Sequence, residues 1–214
     1  MSEQLVLEKQ RSALLVMDFQ NDIVSRGGLL TPAEDDEDAW QRIDGAIAAA
    51  KHATDAARKA GMLVVHVAVG RQPGAPAANP HSPLLQYMLK VNALVEGTHG
   101  FDFHPDARPE PGETVIVKRG ISALAGSELG PLLKGRGIDT LVLTGFATHM
   151  VIVGTAREAV DYGWRVVVLE DCCASGGQNR HDAALENLRM LCEVTDSKNF
   201  KAALGKQAVP TGFN

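Results

Sequence analysis

The stretch TLVLTGFATHMVIVGTAREAVDYGWRVVVLED, residues 140–171, decides the fold. It begins and ends in apolar, β-rich runs, TLVLTG (140–145) and RVVVLED (165–171). Between them, His149 to Tyr162 has helical patterning, with Thr148 as its N-cap and Gly163 just past its end. Neither run alternates between apolar and polar residues. Strands that are apolar on both faces belong in a parallel sheet covered on both sides.

The same pattern extends outward along the chain. Ser12–Met17 (SALLVM), LVVHVAV (63–69) and TVIVK (114–118) are further apolar runs, and CEVTD (192–196) is a weaker sixth. Helices are predicted at Asp38–Lys59, with Gly61 as its stop, at Ser127–Lys134 and at Arg180–Leu191. Strands alternating with helices predict an α/β fold: a doubly wound, mainly parallel six-stranded sheet with helices on both faces. A length of 214 residues fits one domain, 1–214, with a sizeable core. Residues 70–112 break the pattern. They hold seven of the ten prolines, have little strand character, and carry one predicted short helix, Pro83–Val95. A long connection leaving a strand's carboxyl end is a candidate lid or substrate wall, and equally a surface excursion or oligomer contact.

Composition narrows the partners. Hydrophobic residues at 45% and charged residues at 22% are the proportions of a globular chain. A net charge of −5 without a basic stripe argues against nucleic acid or an anionic membrane as partner. No apolar run approaches the roughly 20 residues of a membrane span. Cys172, Cys173 and Cys192 form no disulfide framework, which suggests a reducing compartment. The N-terminal stretch has no signal-peptide layout, so a cytoplasmic protein is expected.

In open α/β sheets, ligands bind beyond the carboxyl ends of the strands, at a topological switch point. The residues closing the runs are Asp18, Gly70, Lys118, Gly145 and Asp171. Asp18 and Lys118, on two different strand ends, suit proton transfer, because each charge tunes the pKa of the other. Taken singly, each is also a plain cap or surface ion pair.

Three segments carry a family resemblance. ALLVMDFQND (13–22), VIVKRGISAL (115–124) and LVLTGFATHMVIVGTAREAVDYGWRVVVLEDCCAS (141–175) resemble, in order and spacing, the motifs of the isochorismatase-like hydrolase superfamily. The resemblance implies a Rossmann-like sheet, usually in a homo-oligomer (dimer or tetramer), acting on a small-molecule substrate without a cofactor. It implies an Asp–Lys–Cys triad, with Asp18 and Lys118 in the first two places. The cysteine position falls on Val151, while Gly145, Thr148, Thr155 and Ala156 keep theirs. Valine has no lone pair, so a covalent acyl-enzyme is closed off at that point. The family's isochorismatases live without the cysteine by protonating a vinyl ether from the aspartate. Valine is bulkier than the small residue found there, which disfavours isochorismate itself. The resemblance also implies a cis peptide at Phe146–Ala147 and an oxyanion hole from the N–H groups of Ala147 and Val151.

The expected function is hydrolysis of a small, anionic metabolite by Asp18 as acid/base, with Lys118 holding a substrate carboxylate or tuning Asp18. A non-catalytic binding or assembly protein on the same scaffold is one alternative. It requires a pocket filled by Val151 and its neighbours. A C–N amide hydrolase with another nucleophile, Cys172 or Cys173, is the other; free cysteines are more often small buried hydrophobes. Candidate substrate contacts are Gln20, His149, Phe146 and Arg71, with Gln72 beside it. Gln20 and Asn21 also suit bracing the Asp18 loop. His66 reads as a core histidine and His181 as structural. No metal site is expected, since His66 and His81 lie too far apart and lack an acid.

Overall fold

The computed structural model describes residues 5–205. Its elements run β1 (Ser12–Met17), α1 (Asn21–Val24), α2 (Glu37–Lys59), β2 (Leu63–Val69), α3 (Pro83–Lys90), β3 (Thr114–Lys118) and α4 (Leu129–Gly135). They continue with β4 (Thr140–Phe146), a π-helical turn (Thr148–Ile152), α5 (Val153–Asp161), β5 (Arg165–Ala174), α6 (Gln178–Arg189), β6 (Glu193–Thr195) and α7 (Ser197–Leu204). The six strands form one sheet in the order β3-β2-β1-β4-β5-β6, and every pairing is parallel. The order reverses between β1 and β4, so the switch point lies beyond Met17 and Phe146.

The double winding is visible residue by residue. In β1, Leu14 and Val16 pack with Trp40, Ile43 and Ile47 of α2 and Phe200 of α7. Ala13, Leu15 and Met17 point the other way, into a core with Leu129 and Leu133 of α4, Ala156 and Ala159 of α5, and Leu188 of α6. β4 and β5 divide in the same manner, with Val142, Val167 and Leu169 on one side and Leu141, Leu143, Val166 and Val168 on the other. A strand between two apolar layers has no solvent face, which is why its sequence does not alternate.

Local differences from the sequence expectations have local causes. The helix expected over His149–Tyr162 opens as the π-helical turn, and only Val153–Asp161 is α-helical. Thr148 is not its side-chain cap, because its Oγ1 is engaged with His181 Nδ1 at 2.8 Å. The short helix expected over Pro83–Val95 stops at Lys90, since Asn92 and Leu94 adopt positive φ. Two helices carried no legible signal: α1, only four residues long, and α7, capped by Asp196 accepting from Asn199 N–H at 2.7 Å.

The excursion between β2 and β3 is bound to the segment after β1 by backbone hydrogen bonds: Asn21 N–H to Asp102 O, Asp22 N–H to Gly100 O, and His104 N–H to Phe19 O. Side chains complete the seam. Asn21 Nδ2 donates to His99 O at 2.8 Å, and Asp22 Oδ2 accepts from Leu94 N–H at 2.7 Å. Gly100 is obligatory here, because a Cβ would lie 2.2 Å from Asp22 Oδ2. Among the described residues, no helix is long and apolar enough to cross a membrane.

Candidate functional site

Asp18 follows β1 at the switch point, with φ +58°. Left-handed backbone is uncommon outside glycine, although Asp tolerates it better than most residues. The chain there is held by Asp18 N–H donating to Val67 O at 2.8 Å. This turns the carboxylate towards the end of β3, where Lys118 Nζ lies 2.8 Å from Asp18 Oδ2. Both residues are buried, at 5% and 1% exposure.

Lys118 has two more partners. Its Nζ donates to Ile121 O at 2.8 Å and to Gly120 O at 3.1 Å. The loop offering those carbonyls is fixed to α5 through Ala123 N–H donating to Thr155 Oγ1 at 2.9 Å. An ammonium carries three N–H donors, and here all three are used. Asp18 is less well served. Its Oδ1 is buried without a hydrogen-bond partner. Burial pushes the Asp18 carboxyl above the ordinary carboxylate range, against the opposing pull of Lys118.

Beside the pair opens a cavity of about 470 Å³. Asp18, Lys118, Phe146, Ala147, His149 and Val151 all line it, as residues at the two sides of a switch point should. The Phe146–Ala147 peptide is cis. Gly145, with φ +151°, permits the turn: a Cβ there would lie 2.3 Å from Met17 O on β1. Val151 is 1% exposed and joins the core beneath α5 while presenting to the cavity. It does not fill the space, so the filled pocket required by a non-catalytic scaffold protein is not what the fold builds.

His149 lies on the wall nearer β5. Its Nδ1 and Ser175 Oγ are 2.9 Å apart. Burial and the nearby Arg180 guanidinium lower its pKa, which favours the neutral ring. Of the other walls, only the one within residues 70–112 was expected from the sequence. Gly176 comes from the β5–α6 connection and Arg180 from the first turn of α6, Thr31, Pro32, Ala33 and Asp36 from the approach to α2, and Leu84, Leu85 and Met88 from α3. The 70–112 excursion thus contributes α3 to a cavity of its own chain. Arg180 had a usable signal, since it opens the helix following a sheet strand, just past that strand's carboxyl end.

Two expected substrate contacts stand elsewhere. Gln20 is fully buried; its Nε2 donates to Val69 O and Phe101 O, and its Oε1 accepts from Val69 N–H. Both its N–H donors are used and it is shut away from the cavity, so it braces the loop. Arg71 hydrogen-bonds Asn92 and lines an adjoining cavity with Gln72 and Arg119, separated from Asp18 by Leu85, Met88 and Leu94. Cys172 and Cys173 are buried in opposite cores, and burial drives both thiols far up. Asp171 accepts from the N–H and hydroxyl of Ser197, fixing the start of α7. His66 is buried and bonds Glu113 at 3.1 Å. Among the described residues, no three His, Cys, Asp or Glu side chains are grouped to hold a metal ion.

Comparison with known proteins adds family evidence to this geometry. The isochorismatase domain model matches residues 12–199. A curated relative, the ureidoacrylate amidohydrolase RutB of Stutzerimonas stutzeri, is 33% identical over 199 residues, covering 87% of this chain and 79% of the relative. The crystal structure of an isochorismatase family protein from Desulfovibrio vulgaris superposes with a TM-score of 0.80 at 27% identity, covering 92% of this chain and 99% of the other. A cysteine hydrolase from Pseudomonas syringae shares the fold, with a TM-score of 0.83 at 18% identity over 96% of this chain and 99% of the other.

Proposed function

Because the chain belongs to the isochorismatase family of hydrolases, we propose that it hydrolyses a small, anionic metabolite by acid/base catalysis without a cysteine nucleophile. One observation carries this: a buried Asp18–Lys118 pair with a free carboxylate oxygen beside an open cavity whose lining contains no thiol. The only hydroxyl side chain of that lining among the described residues is Thr31, and it donates to Gly28 O. The proposed nucleophile is water, with Asp18 moving the proton.

Burial shifts Asp18 towards its protonated form, against the pull of Lys118, which suits a group that must both give and take back a proton. On a vinyl ether, Asp18 gives that proton to the terminal carbon of the double bond. Water adds to the resulting oxocarbenium carbon and returns a proton to Asp18. The hemiketal then collapses to a ketone and an alcohol. In that collapse the departing alcohol oxygen takes up negative charge, and the backbone N–H groups of Ala147 and Val151 are the donors proposed for it. Lys118 remains the electrostatic partner of Asp18. Likeness to a ureidoacrylate amidohydrolase favours a second substrate class, a ureido acid, attacked by water at its carbonyl carbon with Asp18 as base. Its products, including ammonia, distinguish it from vinyl-ether cleavage. The active unit is a homo-oligomer, and three free cysteines support a reducing, cytoplasmic setting.

The test is turnover of a panel of vinyl ethers, ureido acids and amides by wild type and Asp18→Asn. Asp18→Asn should lose all turnover of whichever compound is cleaved; unchanged turnover overturns the mechanism.

A further inference from the structure

The charged residues lining the cavity are Asp18, Asp36, Lys118 and Arg180. Lys118 would be the natural partner of a substrate carboxylate, yet its three donors already point at Asp18 Oδ2, Gly120 O and Ile121 O. Holding a second anion would cost it one of those buried bonds. Asp36 is an acid, and its Oδ1 is engaged by Ala39 N–H at 3.0 Å as the cap of α2. Arg180 is different. None of the ion pairs among the described residues involves it. Its planar guanidinium matches a carboxylate with two parallel N–H bonds.

The chain on both sides of Arg180 is anchored at three points. Arg42 Nη2 donates to Gly176 O at 3.3 Å, Thr148 bonds His181, and Ser175 bonds His149. A cation on an anchored backbone gives a fixed direction of approach. With Nδ1 taken by Ser175, His149 keeps Nε2 as its free ring nitrogen on the same wall.

We infer that Arg180, flanked by His149, is the carboxylate-recognising end of the cavity, so that the substrate is a monocarboxylate whose reactive bond lies towards Asp18. This rests on the catalytic role of Asp18 only for the orientation; the anion site itself does not depend on it. The carboxylate is thereby moved from Lys118, where sequence alone would put it, to the first turn of α6. Lys118 is left to Asp18.

Benzoate and benzamide test this, as a pair of one shape and different charge. Their dissociation constants are measured by ligand-observed NMR titration on the wild type, Arg180→Gln, Arg180→Lys and Asp18→Asn. Wild type should bind benzoate about tenfold or more tightly than benzamide, the scale of one charge-assisted bidentate contact. Arg180→Gln should abolish that preference, and Arg180→Lys should keep part of it. Asp18→Asn should retain it, because the anchor lies elsewhere. Arg180 is exposed, and unchanged melting of Arg180→Gln verifies that the fold is intact. A preference that survives in Arg180→Gln overturns the assignment, as does the absence of benzoate binding to the wild type. Failure of the catalytic mechanism is separate: it appears as turnover retained in Asp18→Asn, whatever the binding results.

Discussion

At the scale of single residues, the site rests on an imbalance. Lys118 has every donor satisfied and Asp18 has one oxygen unpaired. Removing the cation should therefore harm the fold as well as turnover. Lys118→Met leaves a buried carboxylate unpaired and should cost about 3 kcal/mol, lowering the melting temperature by roughly 6–12 °C. The pH dependence gives the sign. A group whose pKa is raised by folding favours the folded state at low pH, and that contribution is lost as pH rises through the raised value. With the pull of Lys118 gone, the Asp18 pKa rises further. The deficit of Lys118→Met should thus be small near the ordinary carboxylate range, about pH 4, and grow above it. Thermal unfolding followed by circular dichroism across that range measures it; a deficit independent of pH would show that Asp18 stays neutral throughout. Asp18 and Lys118 were both legible in the sequence, since each closes an apolar run. The imbalance was not, because the carbonyls of Gly120 and Ile121 leave no trace in side-chain chemistry.

Elements explain why the cavity has walls. The segment Gln20–Asn21–Asp22 hydrogen-bonds Phe101, His99 and Leu94 of the excursion from β2 to β3, and so holds α3 over Asp18. Asp22→Ala should orphan the N–H groups of Leu94 and Leu29, cost about 2 kcal/mol, and loosen α3. Limited proteolysis checks this: cleavage within residues 70–112 should speed up several-fold, while a cleavage rate equal to wild type would show that α3 is held by packing alone. The strands were readable to within a few residues because two-sided burial leaves continuous apolar runs. Gln20 and Arg71 were misplaced for a related reason. Strand-end position indicates proximity to a site, but direction depends on partners distant in sequence, here Val69, Phe101 and Asn92. Arg180 closes no strand; it lies in the first turn of the helix after β5, so strand-end position does not mark it.

For the whole molecule, the cavity is assembled from segments spread between Asp18 and Arg180, and none contributes a thiol. Cys172 and Cys173 are shut in the two cores, and Cys192, though partly exposed, has its thiol pushed up to about 11 by burial and Glu193. Iodoacetamide on the native protein at neutral pH should leave turnover unchanged. Mass spectrometry of the labelled protein, read beside residual activity, decides it: inactivation that tracks modification of one cysteine would mean that a thiol takes part. The strand order has a different consequence, for biosynthesis. β1 is made first yet lies at the centre of the sheet, and its second partner, β4, leaves the ribosome only after Thr140. During that interval a strand apolar on both faces has an open edge. Such late, non-local closure makes for slow folding and an aggregation-prone nascent chain, so the yield of native protein from synthesis should depend on temperature and chaperone supply more steeply than the finished fold's stability would suggest.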